Sequence, residues 1–150
     1  PQRELFGRLG MWSAVLSVDP SGRWVGSSLM LATARDWARF GEFLRRDGTW
    51  SGERLLPDGW VTMMRHPTDG SPQRTYGAHL WRTDPELLCD ADGESVPSEL
   101  AGVVHLAGFD DQFVWIDFQR ELVLVRLGLS DPAFDPEDFA AGVLRVFDAQ

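Results

Sequence analysis

The chain has 150 residues, of which 43% are hydrophobic and 25% charged, a composition typical of one globular domain. Its formal net charge of −9 excludes nucleic acid and an anionic membrane surface as partners, because both require a basic footprint. No run of about 18 apolar residues occurs, so no membrane span is predicted, and the single cysteine excludes an internal disulfide.

Short extended segments are predicted near the N-terminus. Residues 16–18 and 23–25 are rich in apolar side chains, and they flank the turn sequence Asp-Pro-Ser-Gly at 19–22. The chain begins without an initiator methionine, and we expect it to be a piece of a longer polypeptide.

Residues 26–60 carry the clearest helix signals. Thr33 and Asp36 form a carboxylate version of the capping box, so a helix should begin near Ala34. Asp47-Gly48 should end it, because glycine accepts the left-handed conformation found at many helix ends. The apolar residues that recur at helical spacing are Trp37, Phe40, Phe43 and Leu44.

The middle of the chain predicts smaller elements. A tight turn at 50–53 precedes a short helix that starts near Trp60 and ends at Pro67. Residues 76–82 alternate loosely and predict a strand. Residues 84–99 hold six carboxylates, two prolines and the only cysteine, and they predict an exposed loop.

From residue 103 onward the pattern is typical of strands, over 103–108, 112–118 and 121–128, with Gln119-Arg120 at the centre of a hairpin turn. The last two runs are almost continuously apolar, which indicates a sheet covered on both faces. Asp135-Pro136 should begin a terminal helix that packs on the hairpin. Its predicted apolar stripe consists of Phe139, Val143, Val146 and Phe147.

Two stretches, 26–60 and 107–128, resemble the β-lactamase-related serine hydrolases, which include class C β-lactamases, penicillin-binding protein-like enzymes, family VIII esterases and nylon-oligomer-type hydrolases. Many of these enzymes end with a strand that reaches a Gly, a G-x-x-G-Q-like turn and a strand reading like LVVVRLG. Gly108 and Gln112 match this pattern, and Asp111 stands where the second Gly is usual. The resemblance implies an α+β chain, part of a β-lactamase/transpeptidase-like fold, with antiparallel terminal strands packed against a C-terminal helix. It implies that residues 1–150 are a single domain, the C-terminal part of a larger serine hydrolase domain.

The same resemblance implies catalytic motifs that this chain lacks. In the family a Ser in S-x-x-K attacks an amide or ester carbonyl, the Lys assists its deprotonation, and a Tyr in Y-x-N completes the proton relay. The sequence contains no Lys and no Asn, so it holds no catalytic residue of this kind, and we expect it to be inactive alone. Its expected partners are the N-terminal half of the same fold and a small amide or ester substrate. The alternatives are a non-catalytic binding or interaction module derived from that fold, and an unrelated α+β domain.

The resemblance also supplies candidates for the edge of a substrate pocket, which are His105, Ala107, Gly108 and Gln112. His105 would stand near the place where family members have a Lys or His that contacts the substrate carboxylate or the catalytic Ser. A purely structural role for this strand histidine is the alternative. No metal site is predicted, because the three histidines are 13 and 26 residues apart and have no cysteine pair, and no cofactor is expected. A partial fold should leave an apolar patch exposed beside the terminal strands.

Overall fold

The computed structural model describes residues 1–26, 28–71, 74–83 and 96–149 of the chain. A π-helical turn, Gln2–Phe6, runs into the first α-helix. The helices are α1 (Gly7–Leu9), α2 (Ala34–Arg45), α3 (Trp60–Arg65) and α4 (Pro136–Asp148). The strands are β1 (Val15–Leu16), β2 (Met30–Leu31), β3 (Thr49–Trp50), β4 (Glu53–Arg54), β5 (Trp81–Arg82), β6 (Val104–Gly108), β7 (Gln112–Asp117) and β8 (Leu122–Arg126).

The main sheet has four antiparallel strands in the order β5-β6-β7-β8. Side chains alternate across it, because successive residues of a strand point to opposite faces. Val114 and Ile116 face the core under α2, whereas Trp115 faces the core under α4. The predicted α+β class and the predicted cover on both faces are therefore confirmed.

Helix α2 begins where the sequence predicts, but its capping carboxylate has another partner. Thr33 accepts a hydrogen bond from the Asp36 backbone N–H at 3.4 Å, whereas the Thr33 N–H donates to the Ser13 hydroxyl. Asp36 is buried and accepts from the Ser13 N–H at 2.8 Å and from the Ser13 hydroxyl at 2.6 Å. Asp36 thus fixes the N-terminal segment to α2 instead of completing a local capping box.

The two turns predicted after α2 are present. Gly48 ends the helix with φ +73°, and an added Cβ there would lie 2.4 Å from the Leu56 Cβ. The predicted tight turn at 50–53 joins β3 and β4 in a hairpin, and its central residues Ser51 and Gly52 both have positive φ, as this type of turn requires. Helix α3 also ends before Pro67, as predicted.

One strand prediction was too long, and the N-terminal extended segments form only short pairings. Of residues 76–82 only Trp81 and Arg82 form a strand, because the backbone reverses around His79, which has φ +63°. The N-terminal strand β1 pairs with β2, and a single bridge, Val18 to Trp24, joins the two predicted extended segments.

The buried face of α4 differs from the predicted stripe. Ala140, Ala141 and Leu144 are buried against Trp115, since small side chains let the helix approach this large ring. Val143 is partly buried. The other three predicted stripe residues are 38–60% exposed, namely Phe139, Val146 and Phe147.

The acidic loop prediction is only partly tested, because residues 84–95, including Cys89, lie outside the described residues. Beyond them Val96 is buried, and Ser98–Leu100 forms a 3₁₀ turn. No helix in the described parts of the chain is long and apolar enough to cross a membrane.

The exposed large apolar side chains include two groups. One surrounds β1 and β2, where the side chains are more than half exposed, namely Trp12, Val15, Val18, Trp24, Leu29 and Leu31. The other comprises Leu127 and Leu129 after β8, and Phe139, Val146 and Phe147 on α4. That these residues form one continuous patch beside the terminal strands stays a prediction.

Candidate functional site

Three of the four pocket candidates meet where β6 ends and β7 begins. Gly108 pairs with Gln112 in the antiparallel register, and Ala107 pairs with Phe113. Ala107 and Gly108 are exposed. A Cβ added to Gly108 would lie 3.2 Å from the Gln112 Cβ, so this close approach favours glycine.

The turn between these strands requires the left-handed backbone conformation. Asp110 has φ +59° and Asp111 has φ +57°. Aspartate tolerates this conformation better than most residues, because its short side chain can bond locally, although glycine adopts it without strain. The geometry therefore explains how Asp111 occupies a position at which similar sequences have glycine.

Gln112 holds this turn against the end of β8. Its side-chain amide donates to the carbonyls of Asp110 and Gly128, and its Oε1 accepts from the Gly128 N–H at 2.9 Å. These three bonds use both amide hydrogens and one oxygen lone pair. Gln112 therefore fixes the β6–β7 turn to the end of β8 through bonds to the backbone.

Arg126 supports the same turn and was not singled out from the sequence. Its guanidinium donates to the carbonyls of Asp111, Gly128 and Leu129 and stacks 4.2 Å from the centre of the Phe134 ring. The sequence feature that could have identified Arg126 is a lone arginine at the end of an apolar strand, because such a charge needs polar partners when it is partly buried.

His105 lies farther along β6, on the same face as Ala107, within a row of aromatic rings. Its ring is 6.4 Å from that of Trp81 and 5.5 Å from that of Phe113. Its Nδ1 lies 3.4 Å from the Thr83 hydroxyl. Desolvation lowers the pKa of His105 to about 4, so the imidazole is neutral at pH 7. The neutral imidazole can therefore donate or accept a hydrogen bond, but it has no positive charge with which to attract a substrate carboxylate.

The outer edge of β6 is open beside the turn. Strand β5 pairs only with Val104 and His105, and no described strand pairs with the outer edge of residues 106–108. An unpaired strand edge presents backbone N–H and C=O groups to any polar group that approaches it. The described residues contain no group of three His, Cys, Asp or Glu side chains arranged to hold a metal ion.

The same fold occurs in solved structures of two bacterial proteins. A protein from Bacteroides dorei DSM 17855, described as a β-lactamase, aligns with 99% of this chain with a TM-score of 0.60 and 16% identity. A protein from Bacillus anthracis, described as a 6-aminohexanoate-dimer hydrolase, aligns with 98% of this chain with a TM-score of 0.68 and 21% identity. These similarities confirm, at the level of the fold, the resemblance to β-lactamase-related hydrolases.

The chain spans about half of the first structure, 49%, and 36% of the second. No protein-family model matches the sequence, and no curated protein matches it.

Proposed function

We propose that this chain is the C-terminal portion of a β-lactamase-related serine hydrolase that acts on amide or ester bonds, and that it has no activity alone. The observation that carries this proposal is the unequal coverage of the structural match. Nearly all of this chain, 98–99%, aligns with hydrolase structures, yet it accounts for only 36–49% of their length.

The proposed role of the chain is to form one edge of the active site. The open edge of β6 at residues 106–108 places backbone groups beside the turn that Gln112 and Arg126 stabilise. Fixed backbone N–H groups can stabilise the negative oxygen that develops when a nucleophile attacks a carbonyl. Exposed Ala107 and Gly108 leave room for a substrate to approach this backbone.

The nucleophile and the proton-transfer groups would come from the rest of the polypeptide. The sequence has no Lys for S-x-x-K and no Asn for Y-x-N, and the partly buried imidazole of His105 is neutral at pH 7, because desolvation lowers its pKa to about 4. The chain can therefore help to bind and polarise a carbonyl, but it lacks the residues that would activate a serine in this family.

The exposed apolar surfaces support a second polypeptide segment that packs on this one. The first region, around β1 and β2, exposes side chains that a complete core would bury at a gain of about 25 cal/mol for each Å². Large apolar side chains exposed close together in this way are typical of an interaction site.

The experiment compares the purified 150-residue chain with a longer polypeptide that includes the coding sequence upstream of Pro1. Nitrocefin and p-nitrophenyl butyrate are the substrates, and release of the coloured product is measured. We expect an upstream segment with S-x-x-K and Y-x-N, no turnover by the short chain, and turnover by the long one that its own Ser→Ala variant abolishes.

Robust turnover by the short chain would disprove the claim of inactivity. A natural start codon directly before Pro1 would favour the alternative, a non-catalytic binding or interaction module of the same fold. Both motifs present in a long chain that folds but hydrolyses neither an amide nor an ester would disprove the proposed reaction class.

A further inference from the structure

A cleft of about 350 Å³ lies between α3, β5 and the start of β6. Its described lining consists of Thr62, Arg65, His66, Arg82, Thr83, Gly102, Val103 and Val104. The cleft is at the opposite end of β6 from Gly108, and the four residue steps between Val104 and Gly108 span about 13 Å. It is therefore separate from the proposed substrate edge.

The described part of the lining contains two arginines and no carboxylate, in a chain whose net charge is −9. Arg65 and Arg82 both reach the cleft, and His66 adds a further ring nitrogen donor or acceptor. Desolvation, and then the positive charge of Arg82, lower the pKa of Arg65. The surroundings of Arg65 thus oppose its charge.

Arg65 has no polar partner in the described parts of the chain. Its guanidinium stacks on the Phe118 ring, with Cζ 3.9 Å from the ring centre, and makes no hydrogen bond or ion pair with a described residue. This stacking fixes the plane of the guanidinium and leaves its N–H groups available at the edges.

Two other partly buried arginines are each paired with a carboxylate. Arg45 pairs with Glu42 at 2.6 Å, and Arg120 pairs with Asp117 at 2.8 Å and with Asp148 at 2.7 Å. A guanidinium that is removed from water normally has such a partner, because its five donors are costly to leave unsatisfied. Arg65 lines a cleft and has no such partner among the residues that the structure describes.

We propose that this cleft binds a small molecule through an oxyanion group, a carboxylate or a phosphate. The planar fork of Arg65 matches two oxygens of either group, Arg82 contributes a second positive charge, and the exposed hydroxyl of Thr62 provides a hydrogen-bond donor. A volume of about 350 Å³ is near the lower end of the range for small-molecule sites.

The test is isothermal titration calorimetry of the 150-residue chain with inorganic phosphate and, separately, with succinate. Tris buffer at pH 7.5 is used, and chloride keeps the ionic strength constant. We expect saturable binding of one anion per chain, and the anion that saturates identifies the ligand class. Arg65→Gln should weaken binding about 10-fold or more, because a hydrogen bond to a charged group contributes at least that factor.

Two further variants separate specific recognition from general charge and from misfolding. Arg35→Gln is the matched control, because it removes the same charge from an exposed position on α2. It should bind as the unmodified chain does. Arg65→Lys keeps the charge but loses the planar fork, and it should bind more weakly than the unmodified chain and more tightly than Arg65→Gln.

Circular dichroism and thermal melting establish that each variant is folded, and Arg65→Lys decides the question if Arg65→Gln does not fold. The proposal is overturned if neither anion gives saturable binding to the unmodified chain. It is also overturned if a folded Arg65 variant binds with unchanged affinity, or if Arg35→Gln loses affinity to the same extent.

Discussion

The packing of α2 on the main sheet gives a sharp prediction about two helical glycines. A Cβ added to Gly41 would lie 2.6 Å from one Val123 methyl carbon and 3.0 Å from a Val114 methyl carbon. A Cβ added to Gly142, on α4, would meet nothing within 4 Å. The same change, Gly→Ala, should therefore have opposite consequences in the two helices.

The expected magnitudes follow from two competing contributions. Alanine stabilises a helix interior by about 1 kcal/mol relative to glycine. Overpacking a tight core costs about 1–3 kcal/mol. Gly41→Ala should therefore lower the free energy of unfolding by about 0–2 kcal/mol, whereas Gly142→Ala should raise it by up to about 1 kcal/mol. The difference between the variants, about 1–3 kcal/mol, measures the packing cost alone.

Urea denaturation followed by tryptophan fluorescence measures these free energies, and the midpoint of thermal unfolding should change by about 2–4 °C for each kcal/mol. Val123→Ala removes the methyl group that an alanine at position 41 would contact. The double variant Gly41→Ala/Val123→Ala should therefore be more stable than the sum of the single changes predicts. If Gly41→Ala stabilises the chain as much as Gly142→Ala does, the close approach of α2 to the sheet is wrong.

Two further predictions concern buried carboxylates and use the same denaturation assay. Asp36→Asn should lower the free energy of unfolding by about 1.5–3 kcal/mol, because it weakens the charged bonds to Ser13. Desolvation raises the pKa of Asp36, but the bonds from Ser13 and Arg39 outweigh it and the net pKa is lowered. The stabilisation from Asp36 is thus complete above its unfolded-state pKa and is lost as the pH falls through its folded-state pKa. Asp36→Asn should therefore make the free energy of unfolding depend less on pH in the acid range. An unchanged dependence on pH would contradict this role. Arg120→Ala should destabilise the chain by about 1.5–3 kcal/mol, because it removes the charged partner of buried Asp117. Asp148→Ala removes only the exposed ion pair with Arg120, and it should destabilise the chain by less than about 1 kcal/mol. Equal losses of stability in the two variants would show that the pair with buried Asp117 contributes no more than the exposed pair with Asp148.

The elements that the sequence predicts well are those with local causes. Thr33 and Gly48 mark the two ends of α2 through backbone conformations that involve only neighbouring residues. The apolar runs of β7 and β8 required cover on both faces, because neither face of such strands has polar residues to meet water. The ends of α2 were predicted correctly, and β7 and β8 lie where the sequence predicts them but are one and three residues shorter.

The elements that were predicted wrongly depend on contacts between distant residues. Asp36 has the sequence of a helix-capping residue, yet it bonds to Ser13, which lies 23 positions away. The face that α4 buries is selected by the size of Trp115, and the sequence of the helix alone favours its larger side chains instead. The position of Arg65, without a polar partner among the described residues, is equally invisible in sequence, since it depends on how α3 packs in the fold.

The chemical groups on β6 also explain why this part of the fold is suited to binding and not to proton transfer. A general base works best with a pKa near the operating pH, but burial lowers the pKa of His105 to about 4. All 14 residues counted as Lys or Arg are arginines, which stay protonated and cannot replace the lysine of S-x-x-K. What β6 offers is an open backbone edge at residues 106–108, beyond the two-residue strand β5. Under the proposed function, the Lys of S-x-x-K and the Asn of Y-x-N would come from another segment, and the turn at Gly108 would lie beside the carbonyl on which they act.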